Sequence, residues 1–114
     1  MTSQPLDPAS VPETRTSSAR EFQIACEQAV AECRALGYAP TAWIAMMRGP
    51  GGATAAARRL LRSGDVQSGF ERLIRMGRRD LTIEQAVLAE RWTDLFTDDE
   101  RAAALWRLEQ GGAR

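Results

Sequence analysis

The chain has 114 residues, enough for one domain with a single core and no metal or disulfide staples, and its 15 basic and 15 acidic side chains cancel. All 15 bases are Arg and there is no His, which removes the side chain that most often acts as general base or metal ligand near neutral pH. The two cysteines, Cys26 and Cys33, lie seven residues apart. On one helix that is about 10 Å along the axis, too far to bridge, so two buried thiols in a reducing compartment are expected.

Residues 1–17 carry Pro5, Pro8 and Pro12 among Ser, Thr, Gln and Asp, and read as a disordered leader. They contain no apolar region of a secretory signal, and no run approaches the ~20 residues of a membrane span. A cytoplasmic location is the expectation.

The first helix is predicted from Ser18, where Ser18-Ala19-Arg20-Glu21 fits a capping box. Phe22, Cys26, Ala29, Cys33 and Leu36 share a stripe flanked by Ala25 and Val30, and Gly37 has the position of a C′ glycine. On the opposite side, Ile24, Ala31 and Ala35 form a narrow second strip, a candidate contact with a protein partner or a second copy. Scattered surface apolar residues are the plainer reading.

Thr41 is read as the cap of a second helix, Ala42 to Arg48, in which Trp43, Ile44, Met46 and Met47 cover most of the circumference. Such a helix is buried, or presents a Met-rich groove. Gly49-Pro50-Gly51-Gly52 breaks it and leads into another helix, whose first N–H groups suit an anion. It is no phosphate loop, since the Gly-Lys-Ser/Thr ending and a preceding strand are missing.

A third helix, 53–62, turns Ala53, Ala56, Ala57, Leu60 and Leu61 inward and Arg58, Arg59 and Arg62 outward, and stops at Ser63-Gly64. A fourth, Val66 to Met76, buries Val66, Phe70, Leu73 and Ile74, pairs Glu71 with Arg75, and ends at Gly77. Thr82-Ile83-Glu84-Gln85 and Thr97-Asp98-Asp99-Glu100 are two more capping boxes. They open helices to about Glu90 and Gln110, with Trp92, Leu95 and Phe96 as apolar anchors between them. Gly111-Gly112 closes the fold before a flexible 111–114.

The whole reads as an all-α, compact orthogonal array of five to six short helices over 18–110, behind a disordered N-terminal tail. Connections of about two to six residues and the lack of a sustained heptad favour this over a coiled coil.

No nucleophile–base pair or metal constellation can be assembled, so no catalytic, cofactor-binding or metal residue is assigned and the chain is not read as an enzyme. Asp98, Asp99 and Glu100 sit in a first helical turn, where acids complement the macrodipole, rather than forming a catalytic pair. Charge is unevenly distributed: residues 48–79 hold eight Arg against two acids, and residues 80–109 hold eight acids against three Arg. Either the two blocks neutralise each other across the fold, or Arg58, Arg59, Arg62, Arg78 and Arg79 face nucleic-acid phosphates. No aromatic residue is interleaved with these arginines, as single-strand binding would favour. In a helix-turn-helix reading of helices three and four, Arg58, Arg59 and Arg62 fall on the first helix, whereas the second reads bases.

From Tyr38 to Leu108 the landmarks run Gly37-Tyr38-x-Pro40, Met46-Met47, Gly51-Gly52, Ala56-Ala57, Leu60-Leu61, Gly69-Phe70-x-x-Leu73, Gly77-Arg78-Arg79-Asp80-Leu81-Thr82-Ile83-Glu84 and Leu95-Phe96-Thr97-x-x-Glu100. This string resembles an uncharacterised bacterial helical module that occurs alone and as the tail of longer, sometimes nuclease-like, proteins. The resemblance implies an accessory or interaction role and carries no catalytic residues. The sequence therefore points to a non-catalytic module that binds a protein partner or itself, with a nucleic-acid-binding domain built on segment 48–79 as the alternative.

Overall fold

The computed structural model describes residues 6–62 and 68–112, with the side chains of 17–62 and 69–110. Among them are six α-helices and no strand: α1 (Leu6–Ala35), α2 (Thr41–Met47), α3 (Gly52–Arg62), α4 (Ser68–Arg75), α5 (Ile83–Val87) and α6 (Asp98–Gly112). Two 3-10 turns, Arg79–Leu81 and Glu90–Trp92, flank α5.

At 30 residues α1 is about 45 Å long, much the longest of the described helices. Helical backbone begins at Leu6, so the Ser18 pattern lies inside a helix and is not its start. A capping box starts a helix only where the preceding chain turns away. No Gly or Pro lies between Pro12 and Ala35 to force that turn, and Pro8 falls in the first turn, where its missing N–H leaves no bond unmade. Residues 1–5 of the expected leader, and the side chains of 6–16, lie outside the described residues.

The inward stripe of α1 is Phe22, Cys26, Val30 and Cys33, all buried, with Ala25 and Ala29 half-buried at its edge. Leu36, expected at the end of this stripe, is exposed because it falls in the closing turn. That turn is a Schellman closure: the Tyr38 amide donates to the Cys33 carbonyl at 2.9 Å and the Gly37 amide to Arg34 at 2.9 Å. Gly37 adopts φ +88°, a conformation that disfavours side chains with a Cβ. The same pair of bonds closes α4 at Gly77 and Arg78.

The cap of α2 is Pro40 rather than Thr41, and no side-chain bond caps it. Ile44 and Met47 are buried while Trp43 and Met46 are half-buried, so α2 packs along one edge and is not enclosed.

Helix α3 is the hub, touching α1, α2, α5 and α6. Its inward face is the expected one: Ala53, Ala56, Ala57, Leu60 and Leu61 are buried. Three alanines allow neighbouring backbones to approach closely, and the leucines fill the far end. The expected stop at Ser63-Gly64 and the inward Val66 lie outside the described residues. In α4, Phe70 and Leu73 are buried and Ile74 is half-buried.

Thr82 caps α5 as expected, its hydroxyl oxygen accepting the Gln85 amide at 3.2 Å. The helix ends at Val87 instead of about Glu90, and the 3-10 turn that follows delivers Trp92 to the core. At α6 the capping box is complete: the Glu100 carboxylate accepts the Thr97 amide at 2.9 Å, and the Thr97 hydroxyl accepts the Glu100 amide at 3.1 Å. Helical backbone passes through Gly111 to Gly112, since glycine halts a helix only when it turns left-handed.

The core joins both ends of the chain. Phe22 of α1 is fully buried between Trp92 and Phe96, edge-on to each, with ring centroids 5.4 and 5.2 Å away. Met47, Ala56, Ala57, Leu61, Val87 and Ala104 belong to the same cluster, and Cys33, Leu73 and Leu81 form a smaller one beside it.

Candidate interaction surfaces

The second strip on α1 is where the sequence placed it: Ile24, Ala31 and Ala35 are exposed, Ile24 at 53%. Two of its three members are alanines, so its apolar area is small. A larger exposed apolar feature lies on α6, where Leu105 is 46% and Trp106 59% exposed, with Ala102 exposed one turn earlier. Sequence reasoning read α6 through its capping box and missed this feature. The available signal was misleading. Ala104 and Leu108 mark the buried side, but Arg107 occupies the buried place beside them that hydropathy assigns to Trp106.

Arg107 is buried because it has partners there: it donates to the Glu84 carboxylate at 3.2 Å and to the Leu60 carbonyl at 2.9 Å. Burial pushes the Glu84 carboxyl above its ordinary value; a hydrogen bond from its own backbone amide and the guanidinium of Arg107 oppose that without cancelling it. The other α6 arginine also turns inward, Arg101 donating to the carbonyls of Val87 and Leu88 at 2.9 and 3.2 Å. Asp98, Asp99 and Glu109 are exposed. The outer face of α6 therefore has an apolar centre with acidic ends.

Three of the five arginines proposed for nucleic acid are held by carboxylates. Arg58 and Arg62 meet Glu100 at 3.0 and 3.2 Å, and Arg78 meets Glu32 at 2.6 Å and Asp80 at 2.9 Å. Burial pushes the Glu100 carboxyl up, but the Thr97 amide and the two guanidiniums outweigh it and hold the group below its ordinary value. Hydrogen bonding from Arg78 likewise lowers Asp80. Arg59 and Arg79 are exposed and make no ion pair among the described residues. Outside this set, Arg72 stacks on Tyr38 at 4.8 Å.

The Gly-rich break positions α3 through a side chain from α1. Gln23 accepts the Ala53 amide at 2.7 Å and donates to the Met47 carbonyl at 3.4 Å, so one α3 N–H suited to an anion is already taken. Beside it, a shallow cleft is edged by Thr54, Arg58, Asp94 and Thr97, with Arg58 committed to Glu100. A second cleft, of about 250 Å³, is walled by Val30, Cys33, Tyr38, Trp43, Phe70 and Glu84. It offers no activated nucleophile among these residues. Burial pushes the Cys33 thiol up, as it does Cys26, which rises to about 12, and both cysteines are unpaired and protonated at neutral pH.

No group of three or more His, Cys, Asp or Glu among the described residues is placed to hold a metal ion, and no described helix is long and apolar enough to cross a membrane. No family model, curated protein or solved structure matches the chain.

Proposed function

We propose that this chain is a non-catalytic interaction module of the cytoplasm that holds a protein partner through the outer face of α6. The observation that carries this is the pair Leu105 and Trp106, adjacent and exposed at 46% and 59%. Tryptophan offers a large, rigid contact area and dominates the energetics of many interfaces, whereas a lone exposed Leu or Ile needs no explanation. The Ile24, Ala31 and Ala35 strip is a narrower, secondary contact in this reading. Nucleic-acid binding has less support, because Glu100, Glu32 and Asp80 neutralise much of the arginine set it requires. The resemblance of the Tyr38–Leu108 stretch to a bacterial accessory module agrees with an interaction role. Two buried, unpaired cysteines agree with a reducing compartment.

Pull-down with the tagged chain, compared with Trp106→Ser and Ile24→Glu, tests the reading. Proteins retained by the wild type are expected to be lost with Trp106→Ser and largely kept with Ile24→Glu. Identical retention by all three would overturn the α6 assignment. Nuclease-sensitive nucleic acid released by moderate salt would favour the alternative.

A further inference from the structure

The α6 face also has a charge pattern, and this deepens the preceding reading, on which it rests. Asp98 and Asp99 stand at one end of the Ala102–Leu105–Trp106 centre and Glu109 at the other, all exposed. From Asp98 to Glu109 is about 16 Å along the helix axis. Neither base of α6 is ion-paired with them: Arg101 bonds the Val87 and Leu88 carbonyls, and Arg107 is buried against Glu84 and Leu60. The face thus presents three negative charges around an apolar anchor. A second copy docking by the same face around a two-fold axis would set acids against acids. A nucleic-acid backbone meets the same repulsion.

We infer that the occupant of this face is a basic amphipathic segment of another protein: a helix about three turns long, with an apolar stripe that covers Leu105 and Trp106 and Lys or Arg on its flanks. Opposite charges at the rim steer the encounter and set register, while the desolvated tryptophan supplies most of the affinity.

The test uses two dye-labelled synthetic amphipathic helices of identical apolar pattern, one with Leu and Lys and one with Leu and Glu, titrated by fluorescence anisotropy. The Lys peptide is expected to bind and the Glu peptide not to. Binding should weaken with salt, fall about tenfold in Asp98→Asn/Asp99→Asn/Glu109→Gln, and be lost in Trp106→Ser. Circular dichroism confirms that each variant is folded, and Glu109→Gln alone, remote from the α6 N-terminus, should still weaken binding measurably. Equal binding of both peptides, with Trp106 still required, would overturn the charge inference and leave the interaction reading standing. No binding of the Lys peptide by a folded wild type would overturn the inference. Lys-peptide binding undiminished by Trp106→Ser would sink both. A dimer in sedimentation that Trp106→Ser dissolves would assign the face to a second copy instead.

Discussion

Glu100 shows how much one side chain can organise here. One carboxylate oxygen accepts the Thr97 amide and closes the capping box of α6, while the other receives Arg58 and Arg62 from α3. Glu100→Gln keeps an acceptor for the cap and removes the charge. Arg62 is exposed and Arg58 half-exposed, so the pairs are screened and the expected cost at pH 7 is only about 1 kcal/mol. The folded-state carboxyl is held below its ordinary value, so its stabilisation is present above the unfolded pKa of about 4.3 and is lost as pH falls through the folded value. Urea midpoints of wild type and Glu100→Gln should therefore converge on acidification, and a gap unchanged down to pH 3 would mean that the charge contributes nothing. Glu84 acts with the opposite sign: its raised value favours the protonated form, and that contribution is lost as pH rises through the folded value.

Among the elements, the α2–α3 junction depends on a residue thirty positions upstream. Gln23 accepts the Ala53 amide and donates to the Met47 carbonyl, tying the Gly-rich break to α1. Gln23→Ala leaves a part-buried helix-start N–H without that acceptor and is expected to cost about 1–2 kcal/mol. Gly52→Ala acts at the same place from the other side. Gly52 has φ +67°, and a Cβ there would lie 2.8 Å from the Gln23 side-chain oxygen. Left-handed strain of about 1–2 kcal/mol is expected, with Gln23 displaced. Denaturant melts of the two single variants and the double check this. If the joint effect equals the sum, the two residues are not coupled through this bond.

For the molecule as a whole, Phe22 connects the two ends of the sequence. It is fully buried against Trp92 and Phe96, seventy or more positions further along. Phe22→Ala is expected to cost about 3–5 kcal/mol, a large part of the 5–15 kcal/mol typical of a domain. The loss should appear as one lowered transition, seen alike by far- and near-ultraviolet circular dichroism. A melting point within a degree of wild type would show that α1 is not integral to the core.

Local chemistry determined much of this fold. The capping boxes at Thr82 and Thr97, the Gly37 and Gly77 closures and the inward face of α3 depend on bonds or periodicity within a few residues, so the sequence sufficed to place them. It also placed the Ile24, Ala31 and Ala35 strip on an exposed face. It could not place what depends on distant partners. Ser18-Ala19-Arg20-Glu21 has the composition of a helix start, but whether the chain turns there is not decided by those four residues. Whether Arg58, Arg62 and Arg78 pair with acids or face a partner stays open in the sequence until the fold brings Glu100 and Glu32 to them. Thr97-Asp98-Asp99-Glu100 marks where α6 starts but not which side is buried; Glu84 and the Leu60 carbonyl draw Arg107 inward and leave Trp106 at the surface. Tertiary structure alone decided which side of α6 faces water, because burying an arginine is favourable only where partners from other elements satisfy it.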